Sequence, residues 1–175
     1  MHGPSRRASK QCSAAAASTS LPGIRVCFVD TYALRGSGDR LEVLVLRRGA
    51  HGRCPGSWET VHGTIEPGET PVQASLRELR EETGFVPERF YNVSRTEAFY
   101  QHKSDEMALI PVFAAFVSAN ATPRLSSEHD RAEWLGPAEA ARRFAWPRER
   151  RALDDILSIL GGGNAGLLED VLRVS

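Results

Sequence analysis

The stretch from Gly68 to Phe85, GETPVQASLRELREETGF, constrains the fold most tightly. Thr70 has the chemistry of a helix N-cap, Pro71 suits the first helical position, and Gln73 completes a capping box with Thr70. Gly84 is placed to end the helix in a left-handed conformation. Between these ends, Val72, Leu76, Leu79 and Thr83 follow i, i+4, i+7 and i+11, a narrow stripe suited to a core. Glu78, Glu81 and Glu82 fall on the far side of that stripe, with the small residues Ala74 and Ser75. Like charges at this spacing oppose a helix by roughly 0.2–0.5 kcal/mol per pair. Arg77, four residues before Glu81, can pair with it. Two readings fit: a solvated face laced with Arg77 and Arg80, or oxygen donors gathered for a hard cation such as Mg²⁺ or Mn²⁺.

The text around this helix reads mainly as strands. IRVCFVDTYAL and LEVLVLRR are rich in Val and Leu, and RGSGDR between them supplies turn residues, so the two are expected to form a hairpin. GAHGRCPG is a loop, and SWETVHGTI gives short strand pieces. RFYNVSRTEAFYQ and MALIPVFAAFVS flank a polar turn; Pro111 marks an edge position or a bulge. RAEWL is a short strand. GPAEAARRF and PRERRALDDILSILG read as helices, with Pro147 at a helix start and Gly161 at an end. Irregular alternation with tight turns predicts a mixed sheet with helices packed on it.

Residues 1–21, with RRASKQCSAAAASTS, are expected to be a disordered tail whose composition overlaps that of a transit peptide. One domain is expected over residues 22–160, and residues 161–175 form a C-terminal tail in which GGGNAG links to a short helical segment. The 175-residue chain has a formal net charge of zero, which argues against a broad grip on nucleic acid or an anionic membrane. No apolar run is long enough to span a bilayer. Three scattered cysteines without a C-x-x-C pair favour reduced thiols and a cytoplasmic setting over disulfides or zinc. Cys27, in an apolar run, is expected in the core.

In full, GTIEPGETPVQASLRELREETGF carries Gly63, Glu69, Arg77, Glu78, Leu79, Glu81, Glu82, Gly84 and Phe85. This resembles the Nudix box, G-x5-E-x7-R-E-U-x-E-E-x-G-U with U a bulky apolar residue, at every fixed position. The resemblance extends from about Ile24 to Leu160. It implies a Nudix-type α/β/α sandwich around a mixed β-sheet, and an enzyme that cleaves a diphosphate linkage in a nucleoside diphosphate joined to another group. It also implies Glu78, Glu81 and Glu82 as ligands of Mg²⁺, or of Mn²⁺ in its place, with the Gly63 carbonyl as a further ligand. Glu69 and Arg77 would brace the loop against the helix, while Leu79 and Phe85 pack inward. The cations explain the gathered acid, because they neutralise phosphate charge and polarise the attacking water. The segment SSEHDRAEWLGPAEAARRFAWPRERRALDDIL is similar to the subgroup typified by dihydroneopterin triphosphate pyrophosphatase.

Outside the box, Glu128 is the candidate for an additional metal ligand or a general base, beside Glu81 and Glu82 as catalytic carboxylates; an ordinary surface Glu is the alternative. Arg47 and Arg48 end a strand beside the glycine loop and suit phosphate; solvent salt bridges are the alternative. Trp58 is a candidate to stack on a base or pterin ring, or else an anchor. Phe99 and Tyr100 point to opposite faces of a strand, so at most one, with Tyr100 the candidate, lines a pocket. His51, His62, His102 and His129 show no ligand-like spacing and read as bystanders, His129 the least clearly. The expected function is Mg²⁺-dependent pyrophosphohydrolysis of a small nucleotide-like substrate, a nucleoside or pterin triphosphate, without nucleic-acid or membrane partners. The rival is a Nudix-fold domain that senses a nucleotide without cleaving it.

Overall fold

The computed structural model describes residues 21–175; the expectation of a disordered tail over residues 1–21 lies outside them, Leu21 apart. Eight strands form one mixed sheet: β1 (Gly23–Val26), β2 (Phe28–Arg35), β3 (Glu42–Arg48), β4 (Trp58–Glu59), β5 (Val61–Thr64), β6 (Arg89–Gln101), β7 (Glu106–Phe116) and β8 (His129–Leu135). The main path is β1-β7-β2-β3-β4; β5 pairs with β2, β6 with β7, and β8 with β3. The β1–β7 and β2–β7 ladders are parallel and the others antiparallel. The expected hairpin is present at its turn, where Leu34 pairs with Val43 and Arg35 with Glu42. Beyond it β2 leaves β3 and takes β5, Val29 pairing with Gly63 and Asp30 with His62.

The structure corrects the sequence reading at Cys27 and, at Pro111, bears out the bulge rather than the edge position. IRVCFVDTYAL is two strands, because β1 pairs with the first half of β7 and β2 with the second. Cys27 sits at their junction, half-buried and outside the core. Pro111 lies in an inner strand with neighbours on both sides. The β6 ladder slips there, from Asn92 opposite Phe113 to Thr96 opposite Pro111, with Ser94 at a φ of 56° in the bulge. Where the ladder is interrupted, a missing N–H does no harm.

The helices are α1 (Pro71–Thr83), α2 (Pro137–Arg143), α3 (Pro147–Leu160) and α4 (Glu169–Leu172). Leu79, Phe85, Phe90 and Phe113 pack with α1 on one sheet face. Tyr32, Val43, Tyr91 and Phe116 pack with Ala140 of α2 and Leu153 and Ile156 of α3 on the other. Alternate residues of β2 serve the two cores, as the period of two requires. Within residues 161–175, Ala165 and Leu172 join the second core, and the Val174 N–H donates to the Phe90 carbonyl at 2.7 Å.

The start of α3 is pinned to the sheet by a buried acid. Glu149 Oε1 accepts the Thr60 N–H at 3.0 Å and Oε2 accepts the Trp146 N–H at 3.3 Å. Burial, and next the nearby Asp30 charge, push the Glu149 carboxyl up to about 8.

Candidate active site

Helix α1 has the caps the sequence implies. Thr70 and Gln73 form a reciprocal capping box, and Gly84 ends the helix at a φ of 75°. Its buried face is broader and turned from the expected stripe. Ala74, Ser75, Leu79, Glu82 and Thr83 are buried, while Val72 and Leu76 are half-buried. Ser75 meets Thr31 of β2 through their hydroxyls. The helix lies along β2 and β5, and this contact needs small residues. Ala74 and Ser75 therefore mark the packed side, and one carboxylate, Glu82, goes inward with them.

The three glutamates thus differ. Glu81 is exposed, Glu78 half-buried and Glu82 only 3% exposed. Gly63 of β5 lies against Glu78 so closely that a Cβ on it would stand 2.0 Å from the Glu78 carboxyl carbon. Only glycine admits that approach. Arg77 organises the outer side. Its Nε and Nη2 donate to the two oxygens of Glu69 at 2.9 and 3.0 Å, and Nη2 also donates to the Thr64 carbonyl at 2.8 Å. Its Nη1 donates to Glu78 at 2.9 Å and to Glu81 at 3.1 Å. The loop before the helix is thereby tied to β5 and to the acidic face. The Arg77 hydrogen bonds hold the Glu69 carboxyl below the usual range.

A second ring of charge closes around Glu82. Arg48, at the end of β3, reaches Glu59 at 2.5 Å through Nε and Glu128 at 3.4 Å through Nη1. The buried His129 lies between two carboxylates, its Nε2 at 3.2 Å from Glu59 and its Nδ1 at 3.8 Å from Glu82. Glu82 Oε2 and His129 Nδ1 are both buried, and neither has a hydrogen-bond partner among the described residues. Burial, then the charges of Glu78, Glu59 and Glu128, push the Glu82 carboxyl well up; Arg48 opposes them. A buried carboxylate among carboxylates costs several kcal/mol to ionise unless a cation joins it.

Among the described residues, no group of three or more His, Cys, Asp or Glu side chains converges closely enough to hold an ion. The Arg77 guanidinium instead stands between Glu78 and Glu81. The residues nevertheless fit a hard divalent cation in chemistry. They are oxygen donors, one carboxylate oxygen is orphaned and buried, and the glycine cradle brings a backbone strand to the same place.

Of the residues singled out from sequence, Glu69, Arg77, Glu78, Glu81, Glu82, Gly63, Arg48 and Glu128 come together here. Arg47 does not. It lies on the other sheet face, bonded to Asp130 at 2.7 Å. Its ladder partner Trp58 packs on that face too, under the Arg143 guanidinium at 4.6 Å. Phe99 and Tyr100 point to opposite faces as expected, and the Tyr100 hydroxyl bonds Asp105 at 2.8 Å. Sequence reasoning missed Glu59 and passed over His129. Strand alternation carries the signal for Glu59, since Glu59, Val61 and Gly63 share one face at a period of two. His62 is not a bystander either; its Nδ1 is 2.6 Å from the buried Asp30.

No helix among the described residues is long and apolar enough to cross a membrane. The NUDIX domain family model matches residues 29–156. An octanoyltransferase of Myxococcus xanthus is 34% identical over 117 residues, which are 66% of this chain and 32% of that protein, so the chain spans about a third of that relative. The asymmetrical bis(5'-nucleosyl)-tetraphosphatase of Mus musculus is 33% identical over 56% of this chain and 68% of its own. The solved E. coli dihydroneopterin triphosphate pyrophosphohydrolase shares the fold at a TM-score of 0.60 and 22% identity, over 74% of this chain and 94% of that one. A family match over most of the chain, resting on the strands and the acidic helix just described, makes this protein a Nudix hydrolase, an α/β enzyme acting on phosphoric anhydrides.

Proposed function

We propose that the protein is a Mg²⁺-dependent pyrophosphohydrolase, with Mn²⁺ able to substitute, acting on a nucleoside or pterin triphosphate. The observation that carries this reading is Glu82, a buried carboxylate with an orphaned oxygen beside Glu78, pressed against a strand that only glycine can supply. Glu78, Glu81, Glu82 and the Gly63 carbonyl would hold the cation, with Arg77 giving up part of its grip on Glu78 and Glu81. When bound, Mg²⁺ supplies charge neutralisation at the phosphates and polarisation of the attacking water.

The chain's own residues supply the rest. Arg48 has a planar donor head, paired to Glu128 at 3.4 Å, and would take a phosphate oxygen. Arg47 and Trp58, on the far face, contribute to this substrate site only indirectly. Releasing Arg48 to phosphate frees Glu128, whose side chain is 59% exposed, to accept the proton of the attacking water. Glu59 and His129 hold Arg48 and Glu82 in register from behind. A sensor domain would gain nothing from an ionisable group buried at this expense, so the catalytic reading is the stronger.

The test is a panel of nucleoside triphosphates, pterin triphosphate, dinucleoside polyphosphates and nucleotide sugars with Mg²⁺, followed by product identification. Release of a monophosphate from one triphosphate class, abolished by chelator, is expected. Absence of metal-dependent turnover on the whole panel would overturn the proposal.

A further inference from the structure

His129, a bystander in the sequence reading, owes its place to a bulge. On β8, Arg131 pairs with Arg47 and His129 with Arg48, so Asp130 is an extra residue between two consecutive partners. Strict alternation would send His129 to the side of Arg131 and Glu133, where Glu133 meets Arg143 of α2 at 3.2 Å. The extra residue turns it instead to the α1 side, with Ala132 and Trp134. Bulges re-aim side chains in this way.

The ring is held from behind. Its Nε2 lies 3.2 Å from Glu59, whose carboxylate also takes Arg48 at 2.5 Å. A carboxylate paired with a guanidinium is an acceptor, so Nε2 is the nitrogen that carries hydrogen. In the neutral ring Nδ1 then presents a lone pair. It faces Glu82 Oε2 at 3.8 Å, and both atoms are buried without a partner among the described residues. Two electron-rich atoms that face one another out of water call for a cation between them.

The separation says which kind. A hydrogen bond would draw nitrogen and oxygen to about 2.7–3.2 Å. A water donating to both atoms at about 2.8 Å would hold them roughly 4.4 Å apart. A metal ion bonded to each at about 2.0–2.2 Å bridges any separation up to about 4.3 Å. A carboxylate behind a histidine, with the other ring nitrogen turned to a cation, is also the usual support of a metal-bound imidazole.

We infer that His129 Nδ1 is a metal ligand, and that with Glu82 it forms an inner position for a divalent transition-metal ion, Mn²⁺ in preference to Mg²⁺. An imidazole nitrogen suits transition metals, whereas Mg²⁺ asks for oxygen. Glu78 and Glu81 remain oxygen donors on the outer side of the same face. With two protein atoms at the inner position, water and substrate oxygens complete the shell, the open arrangement that catalysis needs. The inference rests on the proposed metal-dependent reading and adds a nitrogen to its carboxylates. Its test reads that nitrogen, not hydrolysis.

The experiment is pulsed electron paramagnetic resonance of the full chain loaded with an equimolar amount of Mn²⁺ and no substrate. The readout is the hyperfine coupling that a directly bonded imidazole nitrogen imposes on the metal. The parent is expected to show it. His129→Gln, checked for folding by circular dichroism, should lose it and bind Mn²⁺ about tenfold or more weakly, while its affinity for Mg²⁺, measured by competition, changes less. The exposed His102→Gln should keep the coupling. Bound Mn²⁺ without nitrogen coupling in the parent would overturn the inference whatever the variants do, and so would coupling that persists in folded His129→Gln. Either result would leave the carboxylate site standing. Failure of the parent to bind Mn²⁺ at all would overturn both.

Discussion

Glu149→Gln should flatten the dependence of stability on pH. In the folded chain the carboxyl sits at about 8, against an ordinary 4.5. A folded value above the unfolded one means that the native state holds its proton more tightly. The corresponding stability is present in full below about pH 4.5 and is lost as pH rises through about 8. At about 1.4 kcal/mol per pH unit, that gap caps the loss at roughly 5 kcal/mol. Glutamine keeps an acceptor for the Thr60 N–H and cannot ionise. Thermal melts of parent and variant between pH 4.5 and 9 should therefore diverge, the variant gaining on the parent as pH rises. For a chain of this size each kcal/mol is worth about 2–4 °C, so the relative gain across the window is expected to approach a ceiling of roughly 10–20 °C. The comparison isolates Glu149 from Glu82, whose raised carboxyl acts in the same direction in both proteins. Parallel melting curves across that window would show that Glu149 is ionised in the fold and would refute the reasoning.

Three further outcomes follow from the site. Gly63→Ala drives a methyl into Glu78 at 2.0 Å; overpacking of about 1–3 kcal/mol should lower the melting temperature, and a misplaced Glu78 should lower turnover about 10²-fold, read by calorimetry and by hydrolysis rate. Glu82→Gln should abolish most turnover while leaving the melting temperature at neutral pH unchanged or raised, because a buried repulsion is removed; a folded variant with normal turnover would argue against the metal role. Glu128→Gln should slow turnover about 10²–10⁴-fold, with recovery at higher pH and an unaltered Mg²⁺ concentration for half-maximal rate, and a Mg²⁺ requirement that rises instead would make it a ligand.

Much of this was legible in the sequence because the signals are local. The caps of α1, the Pro and Gly that bound α1 and α3, and the turn between β2 and β3 depend on neighbours a few residues apart. The box spacing likewise brings Gly63, Glu69 and Arg77 to one place. What was not legible depends on partners far along the chain. Which side of α1 packs is decided by the fit of Ala74 and Ser75 against β2, not by the Leu stripe alone. That same rotation buries Glu82. The break at Cys27 reflects how β7 shares its edge between β1 and β2. Glu59, His129 and Arg48 meet only through the β3–β4 and β3–β8 ladders, and Asp30, His62 and Arg148 span 118 positions of sequence.

The most direct test of the central claim is titration of the protein with Mn²⁺, followed by electron paramagnetic resonance of the free ion in the absence of substrate. The account predicts saturable binding to the parent that is strongly weakened in Glu82→Gln and in Glu78→Gln, both still folded by circular dichroism. Binding of the same strength in the parent and in both variants would mean that the acidic face of α1 is not where the cation sits.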